Sequence, residues 1–310
     1  MGRVGMWRTG AVNSWSCRMV TDNANFDRMW EWAGQQVLTH HIRHLVSRAS
    51  FGADIFVNDI HQGPFSAGLY KQLEPFYDML EKGIVRIPEH DELLSVSEVA
   101  IGMESPPSDL FIQHGTNGHR YRYPDHQHRP MVFDRLDAYW AGAPLAEYDF
   151  SRYGCDIQRR MCNFLPVLPY GLVPILPADA SPPGTTLIRT DGELFYDETG
   201  AACSAEAYRP TVEAALREAA DRLPIRINGD IHASVVRLDC THVRVTLIDP
   251  GYLDPDDREG AIVLQHLEGV ACTDILSGEA LPIVNNRIDV RVPAGVFRIV
   301  DIEHQLAISI

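Results

Sequence analysis

"GADIFVNDIHQG", Gly52 to Gly63, decides how the first part of the chain is read. The run "ADIFV" has strand length and follows a glycine, and it leads directly into Asn58, Asp59 and His61 before a Gly-Pro break. Upstream, "FDRMWEWAGQQVLTHHIRHLVSRAS" spaces Phe26, Met29, Trp30, Ala33, Val37, Ile42, Leu45, Val46 and Ala49 at helical intervals. Before that helix, "SWSCRMV" (Ser14 to Val20) is a second short apolar run, ending in "TDNAN". Strand, helix, strand is the order that a parallel pair with a right-handed crossover produces. Downstream, "AGLYKQLEPFYDMLEKG" predicts a helix closing on Gly83, with Pro75 imposing a kink or marking an early first turn.

Farther along, the pattern changes twice. "VSEVAIGM" predicts a buried strand that opens into a long polar loop, "ESPPSDLFIQHGTNGHRYRYPDHQHRP"; loops of that length inside compact domains are often functional. "VFDRLDAYWAGA" reads as a helix, "GLVPILPAD" as a strand between prolines, and "YRPTVEAALREAADRL" as a helix with Thr211 near its start. The middle of the chain is therefore α/β. After Pro224, "ASVVRLD", "HVRVTLID", "GAIVLQHLE", "RIDVRVPAG" and "VFRIVDIE" alternate with period two and are rich in β-branched residues. Short strands at that spacing, with Gly, Pro, Asn and Asp between them, predict an antiparallel β-sandwich.

Composition narrows the function classes. The 310 residues are 45% hydrophobic and 22% charged, as in ordinary globular proteins. Forty-two acidic against 27 basic residues give a net charge of -15, with no basic stripe to hold a phosphate backbone, so nucleic acid is not an expected partner. No run approaches the roughly 18 consecutive apolar residues of a membrane span, and "MGRVGMWRTGAVNSWS" has no apolar signal-peptide core. Neither a membrane partner nor an address is expected, and localisation stays open. The six cysteines, Cys17, Cys155, Cys162, Cys203, Cys240 and Cys272, form no C-x-x-C pair and read as buried free thiols. Nucleotide-binding glycine loops and the G-x-S-x-G elbow are missing, and no cofactor is implied.

The C-terminal strands carry a resemblance. "TDILSGEALPIVNNRIDVRVPAGVFRIVDIE", preceded by "HVRVTLIDPGYLDPDDREGAIVLQH", resembles the all-β domain that follows the catalytic barrel of many multidomain glycoside hydrolases. The resemblance implies three parts: residues 1–92 as the last βα units of a (β/α)8-type barrel, 93–224 as an α/β middle domain, and 225–310 as the sandwich. Ninety residues cannot close a barrel of about 250, so it further implies a C-terminal portion of a larger enzyme of polysaccharide degradation. A non-catalytic carbohydrate-binding or scaffolding protein is the alternative. A third possibility is that residues 1–224 form one complete open α/β sheet.

The candidate residues follow from both readings. Ligands collect at the carboxyl ends of parallel strands, where Asp22 follows "SWSCRMV" and Asp59 follows "DIFVN". Glycosidic hydrolysis generally needs two carboxyl groups, and acids on adjacent strands meet the spacing. Asp22 and Asp59 are thus the catalytic candidates, although "TDNANF" is also a helix-cap signature and "NDIHQGPFS" also an ordinary βα loop. Arg18 could orient a carboxylate or a substrate acid group. His61 and the loop residues His114, His119, Arg120 and Tyr121 are candidates for binding a polar, anionic sugar, and a surface loop packed by its tyrosines would read the same way. His40 and His44 share a helix face but lack a third ligand, and Asp254, Asp256 and Asp257 lack ordered calcium-loop spacing, so no metal site is assigned.

Overall fold

A computed structural model describes residues 2–21, 39–60, 66–104, 165–180, 185–191, 194–251 and 255–305. Helix α1 (Gly2–Arg8) opens the chain, followed by strand β1 (Ser16–Thr21), helix α2 (Thr39–Ser50), strand β2 (Ile55–Ile60) and helix α3 (Ser66–Glu81). β1 and β2 pair in parallel from Ser16 opposite Ile55 to Thr21 opposite Ile60. On α2, Ile42, Leu45, Val46 and Ala49 face the core at the intervals read from the sequence. The helix stops at Gly52, whose φ of 94° lets its N–H reach the Ala49 carbonyl at 2.9 Å while the Ala53 N–H reaches that of Arg48 at 2.9 Å. A Cβ at Gly52 would meet the Trp7 ring at 2.5 Å, so the turn that launches β2 also requires the absence of a side chain.

Pro75 neither opens nor ends its helix. It is the tenth of the 16 residues of α3, and both Pro75 and Lys71, whose carbonyl it frees, are exposed, so water serves the orphaned acceptor. The opposite face buries Leu73 and Phe76, and Phe76 meets Phe56 of β2 edge to face at 5.1 Å.

The middle sheet runs in the order β4-β3-β5-β6-β7. β3 (Val99–Met103) lies parallel to both β4 (Ile175–Pro177) and β5 (Thr186–Thr190), while β6 (Phe195–Tyr196) and β7 (Ala202–Cys203) are antiparallel additions. Helix α4 (Ala205–Asp221) covers one face, burying Val212, Leu216 and Ala219 against Val99, Ile101, Ile188 and Phe195. It begins at Ala205, three residues before the Tyr208 that opens the sequence reading: Ser204 caps it, accepting from the Ala207 N–H at 3.2 Å, and the exposed Pro210 lies within its first two turns. Among the described residues β1–β2 and this sheet are separate.

The C-terminal part is two antiparallel sheets. One has the order β12-β14-β10-β9 and the other β13-β11-β8. The strands are β8 (Ile225–Gly229), β9 (His232–Arg237), β10 (His242–Ile248), β11 (Arg258–Leu264), β12 (Gly269–Asp274), β13 (Arg287–Val292) and β14 (Phe297–His304). Val235, Val243, Val245, Ile262, Ile288 and Val300 fill the space between the sheets. β8 and β12 were absent from the sequence reading, because "IRING" ends in Asn-Gly and "GVACTD" has weak alternation. Asn285 and Asn286, both at positive φ (53° and 56°), make the two-residue turn into β13.

The four-stranded sheet is buried on both faces. Val236, Ile248 and Ile299 turn away from the sandwich core and join Trp7, Trp15, Leu45, Phe51 and Phe76 in the first cluster. Residues 92–94 extend the sheet beyond β9, with Leu94 N–H donating to Val235 O at 2.9 Å and Arg237 N–H to Glu92 O at 2.7 Å. The outer face of the four-stranded sheet therefore belongs to the core formed by the helices that flank β2.

Candidate functional site

The carboxyl end of the β1/β2 pair is where the sequence placed its acids. Trp15 and Asp54 pin the opposite end: the Asp54 N–H donates to the Trp15 carbonyl and the Trp15 N–H to Asp54 Oδ1, both at 3.3 Å. The register then sets Arg18 opposite Val57 and Val20 opposite Asp59. Arg18 and Asp59 are thus brought into one parallel pair, with Asp59 in its penultimate step. Asp22 follows β1 and His61 follows β2, and both lie outside the described residues, as do His114, His119, Arg120 and Tyr121.

A second polar constellation joins α2 to the sandwich. Arg43, 1% exposed, donates from Nη1 to the carbonyls of Asp249 (2.5 Å) and Gly251 (2.6 Å) and lies 3.4 Å from Asp249 Oδ2. Asp249, fully buried, also accepts from Arg258 Nε (2.9 Å) and from the N–H groups of Gly251 (3.0 Å) and Gly295 (2.8 Å). Burial pushes the Arg43 guanidinium down to about 10, against the opposing pull of Asp249. One turn on, Ser47 Oγ meets His232 Nε2 at 2.7 Å, and His232 Nδ1 meets the Pro166 carbonyl at 2.6 Å. A carbonyl only accepts, so Nδ1 carries the proton and Nε2 accepts from Ser47. Burial pushes His232 down to about 4. A Ser-His contact this deep is out of reach of a polymer and acts as a clamp between parts of the chain. No local signal marked Arg43, Ser47, His232 or Asp249, since the partners are 185 to 206 residues apart.

The metal candidates resolve into structural roles where they are described. His44 Nε2 accepts from Arg48 Nε at 3.4 Å. Asp257 binds Arg291 and accepts the Ala294 N–H at 2.9 Å, tying the start of β11 to the β13–β14 turn, and the Arg291 bond holds its carboxyl below the usual range. Asp256 Oδ1 accepts the Asp257 N–H at 2.8 Å, as turn chemistry requires, and Asp254 lies outside the described residues. Among the described residues no group of three or more His, Cys, Asp or Glu could hold a metal ion. Of the cysteines, Cys272 is buried as expected, but Cys240 is exposed because it sits in the tight turn between β9 and β10.

A polar cluster absent from the sequence reading stands at the carboxyl end of β3 and β5. Glu104 follows β3, Arg189 and Asp191 stand at the end of β5, and Tyr196 is on β6. Arg189 Nε donates to Glu104 Oε1 at 2.6 Å, and Tyr196 Oη donates to Asp191 Oδ2 at 2.6 Å. That hydrogen bond is the main reason the Tyr196 phenol is raised above its ordinary value.

The chain is an α/β protein that ends in two packed antiparallel sheets and carries acids at the ends of parallel strands, an arrangement compatible with a carbohydrate-active enzyme. It belongs to the lambda-carrageenase family: the model of the lambda-carrageenase middle domain matches residues 1–190, and that of the C-terminal domain matches residues 226–303. Lambda-carrageenases are polysaccharide-degrading glycoside hydrolases, so the resemblance read from the C-terminal strands stands. Lambda-carrageenases from Pseudoalteromonas carrageenovora and Pseudoalteromonas sp are each 29% identical in an alignment of 330 positions, gaps included, that covers 97% of this chain and 34% of theirs. The chain thus spans about a third of the length of the curated relatives it matches. Alpha-galactosidase I from Mortierella vinacea shares 14% identity over 40% of this chain and 33% of its own, with a TM-score of 0.22, too low to assign a fold.

Proposed function

We propose that this chain contributes the C-terminal portion of a glycoside hydrolase acting on a polysaccharide of the carrageenan class. The observation that carries this reading is the match to both lambda-carrageenase domain models, in order, along most of the chain. In the proposed division, residues 1–92 are the closing βα units of a barrel, 93–224 an α/β middle domain and 225–310 the sandwich. Asp22 and Asp59 supply the carboxyl pair: one protonates the departing glycosidic oxygen, and the other activates water or attacks the anomeric carbon. Strands about 4.8 Å apart bring such acids within working range. Arg18, His61, His114, His119, Arg120 and Tyr121 hold the polymer, with the cationic groups facing its acidic substituents.

Reducing-end release from lambda-carrageenan tests the proposal. The parent chain is expected to cleave, and Asp59→Asn and Asp22→Asn are each expected to lose at least about a hundredfold in kcat. Binding without cleavage by the parent chain would reject catalysis by this chain and favour a carbohydrate-binding role.

A further inference from the structure

We propose that Asn228 is a site of spontaneous covalent modification, where the backbone nitrogen of Gly229 displaces the side-chain amide and leaves an isoaspartate that loosens the Arg258–Asp249 clamp. The site lies in the sandwich and stands apart from the polysaccharide reading.

The sequence has two Asn-Gly pairs, Asn117-Gly118 and Asn228-Gly229, and only the second falls within the described residues. Glycine has no side chain to shield its nitrogen from the neighbouring amide. Asn228 and Gly229 are both exposed, at the last two positions of β8. Among the described residues β8 is an edge strand, paired with β11 alone.

The ladder sets which way the reacting nitrogen points. The Gln265 N–H donates to the Pro224 carbonyl at 2.9 Å, one step before Leu264 meets Ile225, so alternation bonds Val263 to Arg226 and Ala261 to Asn228. The Asn228 carbonyl therefore faces β11. The Gly229 N–H, on the opposite side of the same planar trans peptide, faces the open edge. Asn228 makes the last bonded rung, and a rung at a strand end opens by fraying, without unfolding the sheet.

The reaction consumes only water. The Gly229 nitrogen bonds to Asn228 Cγ, the Cγ–Nδ2 bond breaks, and the Gly229 amide proton leaves with Nδ2 as ammonia, closing a cyclic imide. Water then opens the imide at Cγ, giving aspartate, or at the main-chain carbonyl, giving isoaspartate. In the second product the main chain runs through Cβ and is one carbon longer.

The fold has no room for that carbon. A Cβ on Gly229 would meet the Glu259 carbonyl oxygen at 2.6 Å, and one on Gly260 would meet the Asn228 carbonyl oxygen at 2.3 Å. Two residues on, Asp230 Oδ2 accepts from Arg258 Nη1 at 2.6 Å, and Arg258 Nε holds the buried Asp249 at 2.9 Å. A longer main chain before Asp230 draws it off Arg258.

The test is timed incubation of the full chain in mildly alkaline buffer, folded and in guanidinium chloride, followed by peptide mass mapping and isoaspartate methyltransferase labelling. In the folded chain Asn228 is expected to convert within about a hundredfold of its unfolded rate, as a fraying edge implies, with isoaspartate among the products. Asn286 is also exposed but precedes Arg287, and it should remain an amide over that time. The aged parent should melt below the fresh protein. Aged Asn228→Gln, which keeps Asn117, and fresh Asn228→Asp should melt with the fresh parent, because neither lengthens the main chain. Stronger protection of Asn228 in the folded chain, or conversion of Asn286 at the same rate, overturns the site. An aged parent that melts with the fresh protein after Asn228 has converted overturns the link to the clamp, as does an equal loss in fresh Asn228→Asp.

Discussion

His232 makes the folded state sensitive to acid. Its ring is 3% exposed, clamped between the Pro166 carbonyl and the Ser47 hydroxyl, with Phe51 packed at 5.6 Å. Burial, opposed by the Pro166 hydrogen bond and assisted by Arg48, pushes it from 6.5 down to about 4. Above pH 6.5 the ring is neutral whether the chain is folded or unfolded, so it adds no pH dependence. Between about 6.5 and 4 the unfolded chain takes up a proton that the folded chain refuses, and stability falls as the pH falls. Below about 4 both states are protonated and the loss levels off, at about 3 kcal/mol in total. His232→Asn keeps a donor for Pro166 and cannot titrate. Urea unfolding at pH 7, 6, 5 and 4 should show the parent's advantage over this variant shrinking by about that amount. Parallel pH profiles for the two proteins would refute the reasoning.

Asp249→Ala should cost about 3–5 kcal/mol in urea unfolding, because Arg43 and Arg258 lose the carboxylate that compensates their burial; a loss below about 1 kcal/mol would contradict the clamp. Gly52→Ala should lower the melting temperature more than Gly83→Ala. Both glycines have positive φ (94° and 68°), but only at Gly52 would the new methyl meet a neighbour, Trp7, while the space around Gly83 is open. Iodoacetamide at pH 8, followed by peptide mass mapping, should label exposed Cys240 and spare Cys272, whose thiol is buried and pushed up to about 12.

The elements legible in the sequence were those with a local cause. The apolar spacing of Ile42, Leu45, Val46 and Ala49 marked α2, and Gly52 and Gly83 marked helix ends because each sits at a positive φ. The alternation of "RIDVRV" marked β13, buried at every second residue. "IRING" went unread as β8, since only its pairing with β11 makes it a strand. Asp59 was found by its position after an apolar run, and the pairing of β1 with β2 gives that position its meaning. Glu104, Arg189, Asp191 and Tyr196 carried no motif, because Glu104 is 85 residues from Arg189 and only the sheet joins them.

By itself the sequence determined the elements with strong local periodicity, the α/β and all-β character of successive parts, and a net charge of -15 that points away from nucleic acid. These depend on periodicity, on backbone preference and on counting, all of which act within a few residues or sum over all of them. Tertiary structure alone decided that the four-stranded sheet is buried on both faces. It also placed His232 against Ser47 and Arg43 against Asp249, and it gathered Glu104 with Arg189 at one sheet end. The reason is that burial and hydrogen bonding are short-ranged in space but indifferent to separation along the chain, so a residue's partners become readable only once the chain has folded.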